Sequence, residues 1–327
     1  MVAAHSSVCP FRPATSAWRS GIVAESAAMQ RLLDQVERIA PSMLSALLLG
    51  ETGTGKEVLA YALHAASGRD GPFVPINCAA LPTSLAESEL FGHVQGAFTG
   101  AVRHHVGLIE QANNGTLFLD EFTELDPHVQ AKLLRVVEDG LVRRVGSNVE
   151  VRVHVRIVAA TNRDIAVEVR ERRLREDLFY RLSGVTLSIP PLRERSDDIR
   201  PLVEKFIAEA VKKTDTPMPD VPFETMVFLE DQPWRGNVRE LRLSVHRAVA
   251  LGSRGVLRPA DFIGASTPQL LPAAATVPRS WRQTQMDSLL STVETCGSVS
   301  AAARVMGVPK STAYDWVRRQ RAETLLS

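Results

Sequence analysis

Gly50-Glu51-Thr52-Gly53-Thr54-Gly55-Lys56-Glu57 decides how this chain folds. Before it stands a strand-length apolar run, Ser45-Ala46-Leu47-Leu48-Leu49. After it, Val58, Leu59, Ala62 and Leu63 recur three and four apart, the spacing of one helix face. Strand, glycine-rich turn and helix is the setting in which G-x-x-x-x-G-K reads as a phosphate-binding loop. Gly50, Gly53 and Gly55 let the backbone turn tightly with its N–H groups inward. The N-terminus of the following helix adds positive potential. Lys56 brings a mobile ammonium to the β- and γ-phosphates. The general motif closes on Ser or Thr, whose hydroxyl binds Mg²⁺; Glu57 stands there instead. The competing reading is a glycine-rich turn followed by an unrelated lysine.

At 327 residues the chain can bury a large core and has room for two or three domains. A formal net charge of +1 excludes a polyanion binder by overall composition, so any nucleic-acid contact must be local. Cys9, Cys78 and Cys296 are scattered and odd in number, which suggests neither a disulfide framework nor a zinc site. A reduced, cytoplasmic setting fits. No stretch approaches the ~18 apolar residues of a membrane span.

Residues 1–20, rich in Ala, Ser, Pro and Arg, are expected to form a short disordered tail. Met29, Leu32, Leu33, Val36 and Ile39 then predict a helix ended by Pro41. Phe73–Asn77 reads as a second strand. Gly96-Ala97-Phe98-Thr99-Gly100-Ala101 places one aromatic among small residues. It is a tight turn around a buried Phe or a projecting loop whose Phe meets a partner, and residue types alone favour the turn.

Gly115-Thr116-Leu117-Phe118-Leu119-Asp120-Glu121 is an apolar strand ending in two acids. With the upstream loop it completes an ATPase site: Asp120 supports Mg²⁺ and Glu121 prepares the attacking water. Leu125 to Leu141 is amphipathic. Val151 to Asn162 first alternates, then becomes apolar, and its tail fits a buried parallel strand. Thr161 and Asn162 fall at the carboxyl edge, where ligands of open α/β sheets gather. They are placed to sense the γ-phosphate, or Asn162 simply caps the next helix. The basic run Arg170–Arg181 reads by itself as a solvated helical face. Val185–Ile189 is a last strand, closed by Pro190-Pro191. Beyond Ser196 the pattern is helical only, around Ile199–Ile207, Phe223–Glu230 and Trp234–Leu251.

Residues 265–280 have linker composition, with Pro268, Pro272 and Pro278. Ser300–Met306, Gly307 and Val308–Arg319 follow helix-turn-helix grammar. Lys310, Arg318, Arg319 and Arg321 supply the local basic charge of a DNA reader. A plain helical hairpin is the alternative.

Together these motifs resemble, from about Gly21 to the C-terminus, the AAA+ activators of sigma-54 RNA polymerase, the bacterial enhancer-binding proteins. G-E-T-G-T-G-K-E at 50–57 is similar to the family's Walker A, which itself carries Glu last. E-L-F-G-H at 89–93 with G-A-F-T-G-A at 96–101 resembles the loop that in the family projects and touches sigma-54, which reverses the preference for a buried turn. T-L-F-L-D-E corresponds to Walker B and A-A-T-N at 159–162 to sensor I. The resemblance implies that Arg175 and Arg181 are arginine fingers acting on a neighbour's ATP. It implies sensor II at Arg239, and at Asn77 the switch for the catalytic glutamate. The C-terminal helices resemble the factor-for-inversion-stimulation type of helix-turn-helix, with Lys310, Ser311, Thr312, Tyr314, Arg318 and Arg319 toward DNA. Arg235, Val94, Leu174 and the recognition sequence A-Y-D-W-V-R-R depart from the family pattern, the last leaving DNA specificity open.

The expected fold is α/β: an AAA+ P-loop ATPase with a parallel sheet over 21–195, a helical lid over 196–264, a linker over 265–280 and an all-α helix-turn-helix domain over 281–327. The expected cofactors are ATP and Mg²⁺. The expected partners are sigma-54 holoenzyme, enhancer DNA, further copies in a hexameric ring, and no membrane. Only about twenty residues precede Gly21, fewer than the ~50 an independent domain needs. No regulatory domain is therefore expected there, and control falls to expression, self-assembly or a trans-acting protein. The alternatives are a DNA-binding regulator with a vestigial ATPase and a generic AAA+ remodeller.

Overall fold

The computed structural model describes residues 16–214, 216–252 and 255–262. The linker at 265–280 and the helix-turn-helix at 281–327 lie outside the described residues, with Lys310, Ser311, Thr312, Tyr314, Arg318 and Arg319.

The strands are β1 (Ala46–Leu49), β2 (Phe73–Asn77), β3 (Gly92–His93), β4 (His105–Val106), β5 (Thr116–Asp120), β6 (Leu141–Arg143), β7 (Glu150–Arg152), β8 (Arg156–Thr161) and β9 (Val185–Ser188). The helices between them are α1 (Ala27–Ile39), α2 (Lys56–Ser67), α3 (Thr83–Phe91), α4 (Leu108–Gln111), α5 (Pro127–Asp139), α6 (Ile165–Arg170) and α7 (Glu176–Leu182). After β9 the described chain is helical: α8 (Ile199–Thr214), α9 (Phe223–Glu230), α10 (Asn237–Leu251) and α11 (Pro259–Phe262).

Five strands form one parallel sheet in the order β2-β5-β8-β1-β9. Central strands covered on both faces need continuous apolar sequence, and β8 is buried throughout. Alternate residues feed two cores. Leu47, Leu117, Leu119, Ile157 and Ala159 enter one, with α5 and α7. Ala46, Leu48, Phe118, Val158 and Ala160 enter the other, with α1 and α2. The helical subdomain has its own core of Val203, Phe206, Leu229, Trp234, Leu241 and Val245. Two short antiparallel pairs, β3–β4 and β6–β7, stand outside the main sheet.

The parallel register brings the carboxyl ends level. Asn77 pairs with Asp120, Asp120 with Ala160, and Leu49 with both Thr161 and Ser188. The residues read from the sequence as strand-end acids and amides therefore share one sheet edge with the loop after β1.

Two features differ from the sequence reading. Ser16–Gly21 form a 3-10 helix rather than the end of a disordered tail. Trp18 packs beside Ile22 and Ala24 on the second core, and Arg19 pairs with Asp34 at 2.9 Å and Glu37 at 2.5 Å on α1. Residues 1–15 lie outside the described ones. The helix expected from Trp234 begins at Asn237, because Trp234 takes a positive φ of 39° and donates its ring N–H to the Leu229 carbonyl.

Candidate active site

The loop after β1 wraps into α2, where Gly53 and Gly55 take φ of 80° and 107°, a region open to glycine without strain. A Cβ on Gly53 would lie 2.3 Å from the Gly236 carbonyl, so the close approach of the helical subdomain also requires glycine there. Lys56 is 7% exposed; its ammonium donates to the Gly50 carbonyl at 3.0 Å and lies 3.4 Å from Glu121 Oε1. Thr54 turns its hydroxyl onto the Glu51 carbonyl at 2.8 Å. Glu57 is exposed in the first turn of α2, where an acid complements the helix dipole.

Asp120 ends β5, and Glu121 follows in the left-handed region with φ of 49°. Burial first, then the Glu121 charge, pushes the Asp120 carboxyl above its usual range, while Lys56 opposes the shift. Glu121 Oε2 accepts the Asn162 N–H at 3.2 Å and lies 3.4 Å from the Thr161 hydroxyl. Asn162 Nδ2 donates to the Thr52 hydroxyl at 2.7 Å. Asn162 is thus not a helix cap; that place belongs to Asp164, which accepts from Ala166 and Val167. Asn77 sits in register with Asp120, but its side chain accepts from the Ala79 N–H at 3.0 Å, and no described hydrogen bond joins it to Glu121. The donor set suits a magnesium nucleotide: a glycine-rich loop leading into a helix N-terminus, one ammonium and a strand-end carboxylate, since Mg²⁺ is commonly held by one or two carboxylates plus phosphates. Cys78, next to Asn77, is buried among these charges, and burial pushes its thiol up to about 12.

A clamp between this loop and residues 192–198 escaped the sequence reading. Arg193 grips both Glu51 oxygens at 2.8 and 2.7 Å. Asn237 donates to Glu51 Oε2 at 3.0 Å and to the Thr52 carbonyl at 3.1 Å, and accepts the Leu192 N–H at 2.7 Å. Buried Arg195 donates to the Thr54 carbonyl at 2.8 Å and lies 3.8 Å from Asp198. Asp198 in turn accepts the Glu25 and Ser26 N–H groups, both at 2.7 Å. The only sequence signal was a cluster, Arg193-Glu194-Arg195, just beyond the last strand end. Hydrogen bonds from Arg193 and then Asn237 pull the Glu51 carboxyl down to about 2. The clamp is therefore fully formed above the ordinary carboxyl value of 4.5 and is lost only as pH falls toward 2. In Arg193→Ala the Glu51 titration, followed by carboxyl NMR, is expected to move upward toward 4.5. An unmoved midpoint would contradict the assigned cause.

Arg175 stands at the N-cap position of α7, without a side-chain cap bond, and pairs with Asp177 at 2.7 Å; Arg181 bonds Glu138 of α5 at 2.9 Å. Both are exposed, and neither bonds the phosphate loop of its own chain among the described contacts. Arg239 is exposed on the first turn of α10, and its backbone N–H donates to the Gly53 carbonyl at 3.3 Å. Its guanidinium makes no ion pair with a described residue.

Gly96–Ala101 lies between β3 and β4. It is a tight turn, closed by Gly96 N–H on the Ala101 carbonyl at 2.9 Å and Ala101 N–H on the Phe98 carbonyl at 3.0 Å. Yet Phe98 is 41% exposed rather than buried, and Thr99 is exposed. The Phe98 ring meets the edge of His93 at 5.0 Å, and His93 is fixed by the Ser88 hydroxyl at 2.7 Å. The turn forms without the buried Phe that the first reading gave it, and a partner for Phe98 is part of the proposal below. The β6–β7 hairpin braces this base, Val145 exchanging bonds with Gly92 and Val94. No described helix is long and apolar enough to cross a membrane.

The family model for the Sigma-54 interaction domain matches residues 22–188, and that for the AAA+ ATPase lid domain matches 193–271. The Nif-specific regulatory protein of Azotobacter vinelandii is 44% identical over 301 residues, covering 90% of this chain and 58% of that protein. The transcriptional regulatory protein ZraR of Escherichia coli K12 is 40% identical over 309 residues, covering 92% of this chain and 69% of its own length. The anaerobic nitric oxide reductase transcription regulator NorR of Klebsiella pneumoniae is 46% identical over 274 residues, covering 81% of this chain and 53% of that protein. This chain thus spans about half to two thirds of the length of these relatives. Among solved structures, NtrX of Brucella abortus in complex with ADP superposes with a TM-score of 0.71 at 32% identity, covering 91% of this chain and 69% of that one. The same protein in complex with ATP gives a TM-score of 0.67.

Proposed function

This chain belongs to the Sigma-54 interaction domain family of AAA+ proteins, and we propose that it is an ATP-hydrolysing activator of transcription. In this reading it binds enhancer DNA and remodels sigma-54 RNA polymerase closed complexes into open ones. The observation that carries the proposal is one chain holding both a phosphate loop with Lys56 beside Glu121 and an exposed, braced Gly96–Ala101 turn outside its main sheet. A generic ATPase needs only the first.

The chain's own residues divide the work. Lys56 and the N–H groups of Gly50–Glu57 grip the phosphates. Asp120 would hold Mg²⁺, which when bound would offset phosphate charge. Glu121, oriented by Asn162 and Thr161, takes the proton of the attacking water. Arg239, exposed where the lid meets the loop, reaches the same nucleotide. Asn77 acts on Glu121 only after leaving Ala79. Arg175 and Arg181, bonded away from their own phosphate loop, serve the next subunit, so activity requires a ring, a homohexamer in this proposal. Contact with DNA is assigned by sequence to the 281–327 region.

Phe98 and Thr99 form the working tip. Thr99 makes no bond to the phosphate site, so Thr99→Ala is expected to keep ATP turnover within about twofold and assembly intact, while open-complex formation falls at least tenfold. Turnover, gel filtration and promoter melting with sigma-54 holoenzyme check this. Normal melting by the variant would remove the loop from the mechanism.

A further inference from the structure

In a G-x-x-x-x-G-K motif the third position carries no assigned chemistry, yet here Thr52 uses both of its polar oxygens. Its hydroxyl accepts from Asn162 Nδ2 at 2.7 Å, and its carbonyl accepts from Asn237 Nδ2 at 3.1 Å. The Asn237 amide is fixed in orientation. The side chain is fully buried, and its Oδ1 is occupied by the Leu192 N–H at 2.7 Å, so Nδ2 must face the Glu51 carboxylate and the Thr52 carbonyl. The lid thereby sets where the Thr52 backbone sits.

Asn162 is held from two sides. Its backbone N–H donates to Glu121 Oε2 at 3.2 Å, and the preceding Thr161 hydroxyl is tied to Thr123 at 3.0 Å. Its side chain has one described partner, the Thr52 hydroxyl. A continuous path therefore runs from buried Asn237 of the lid through Thr52 and Asn162 to the Glu121 carboxylate. Thr52 and Asn162 are both exposed, and this is the one described hydrogen bond between their side chains.

We propose that Thr52 is a positioning residue: its hydroxyl holds Asn162 so that the Asn162 N–H keeps the Glu121 carboxylate aimed at the attacking water, with the lid fixing Thr52 through Asn237. This role rests on the ATPase reading above. It predicts an effect on the chemical step, because the hydroxyl is spent on Asn162, and only a small effect on nucleotide binding.

The test is steady-state ATP turnover of the full chain and of Thr52→Val, Thr52→Ser, Asn162→Ala and the Thr52→Val/Asn162→Ala double variant. Valine keeps the shape and the carbonyl but removes the acceptor. Thr52→Val is expected to lower kcat by about 3- to 10-fold, the loss of one neutral hydrogen bond, with KM for ATP changed less than about twofold. Thr52→Ser should return most of the rate. In the Asn162→Ala background, Thr52→Val should add no further loss, since the two residues act as one unit. A loss confined to KM, a Thr52→Ser as impaired as Thr52→Val, or a full second loss on top of Asn162→Ala would overturn the role. If the wild-type chain hydrolyses ATP and Thr52→Val matches it, the positioning role falls alone. If assembled wild type shows no turnover, the ATPase reading falls and the positioning role with it.

Discussion

Arg181→Ala is expected to lose roughly 10³-fold or more in ATP turnover, the range that arginine fingers supply in other NTPases. It should regain part of that rate when mixed with Lys56→Ala subunits. Arg181 is 59% exposed, and its one ion pair among the described residues is with Glu138 at 2.9 Å. An exposed pair of this kind is worth about 0–1 kcal/mol, so the substitution should leave the fold intact and any large loss belongs to chemistry. The guanidinium bonds α5 rather than its own phosphate loop, which leaves it available for the proposed action on a neighbouring subunit. In a mixed ring an Arg181→Ala subunit keeps an intact Lys56 site, and a Lys56→Ala neighbour brings an intact arginine to it. Each single variant alone should be nearly inactive, and the mixture should not be. Absence of rescue at every mixing ratio would contradict action between subunits.

Glu121→Gln should bind ATP and hydrolyse it roughly 10²–10⁴-fold more slowly, the usual worth of a positioned general base. Glutamine keeps the size of the side chain and an oxygen for the Asn162 N–H. It loses the negative charge that faces Lys56 at 3.4 Å. That ammonium then has no carboxylate competing with the phosphates, so nucleotide affinity should hold or rise while turnover collapses. Equilibrium binding and turnover measured on one preparation separate the two effects. Near-normal turnover would remove Glu121 from the role of base.

Much of this site was legible because its parts are local. The phosphate loop announces itself through glycines between an apolar run and a helical period. Asp120, Glu121, Thr161 and Asn162 are polar residues stopping apolar strands, and parallel register must then gather them at one edge. What escaped depends on pairings across long stretches of chain. Nothing local marks Arg193 as the partner of Glu51, or Arg195 as a donor to Thr54, because a surface arginine and a clamp arginine have the same neighbours in sequence. Arg156 looked like one polar residue of an alternating strand. It is fully buried, with its guanidinium donating to the carbonyls of Ile39 and Ala40 at the end of α1, groups that a helix C-terminus leaves without partners, and to that of Leu44 just before β1. Trp18 was lost in the low-complexity start, where no periodicity shows that one large ring can anchor a turn. Residue types could not settle Gly96–Ala101 because its glycines serve a tight turn while its aromatic remains outside.

Promoter melting in a purified system tests the central claim most directly: the full chain, sigma-54 holoenzyme and a promoter carrying its enhancer, with open complexes read by a single-strand-specific probe. The account predicts melting with ATP and none with a non-hydrolysable analogue, with Glu121→Gln or with Thr99→Ala. Robust ATP turnover by the assembled protein without any melting, or melting that proceeds equally well with the non-hydrolysable analogue, would contradict it.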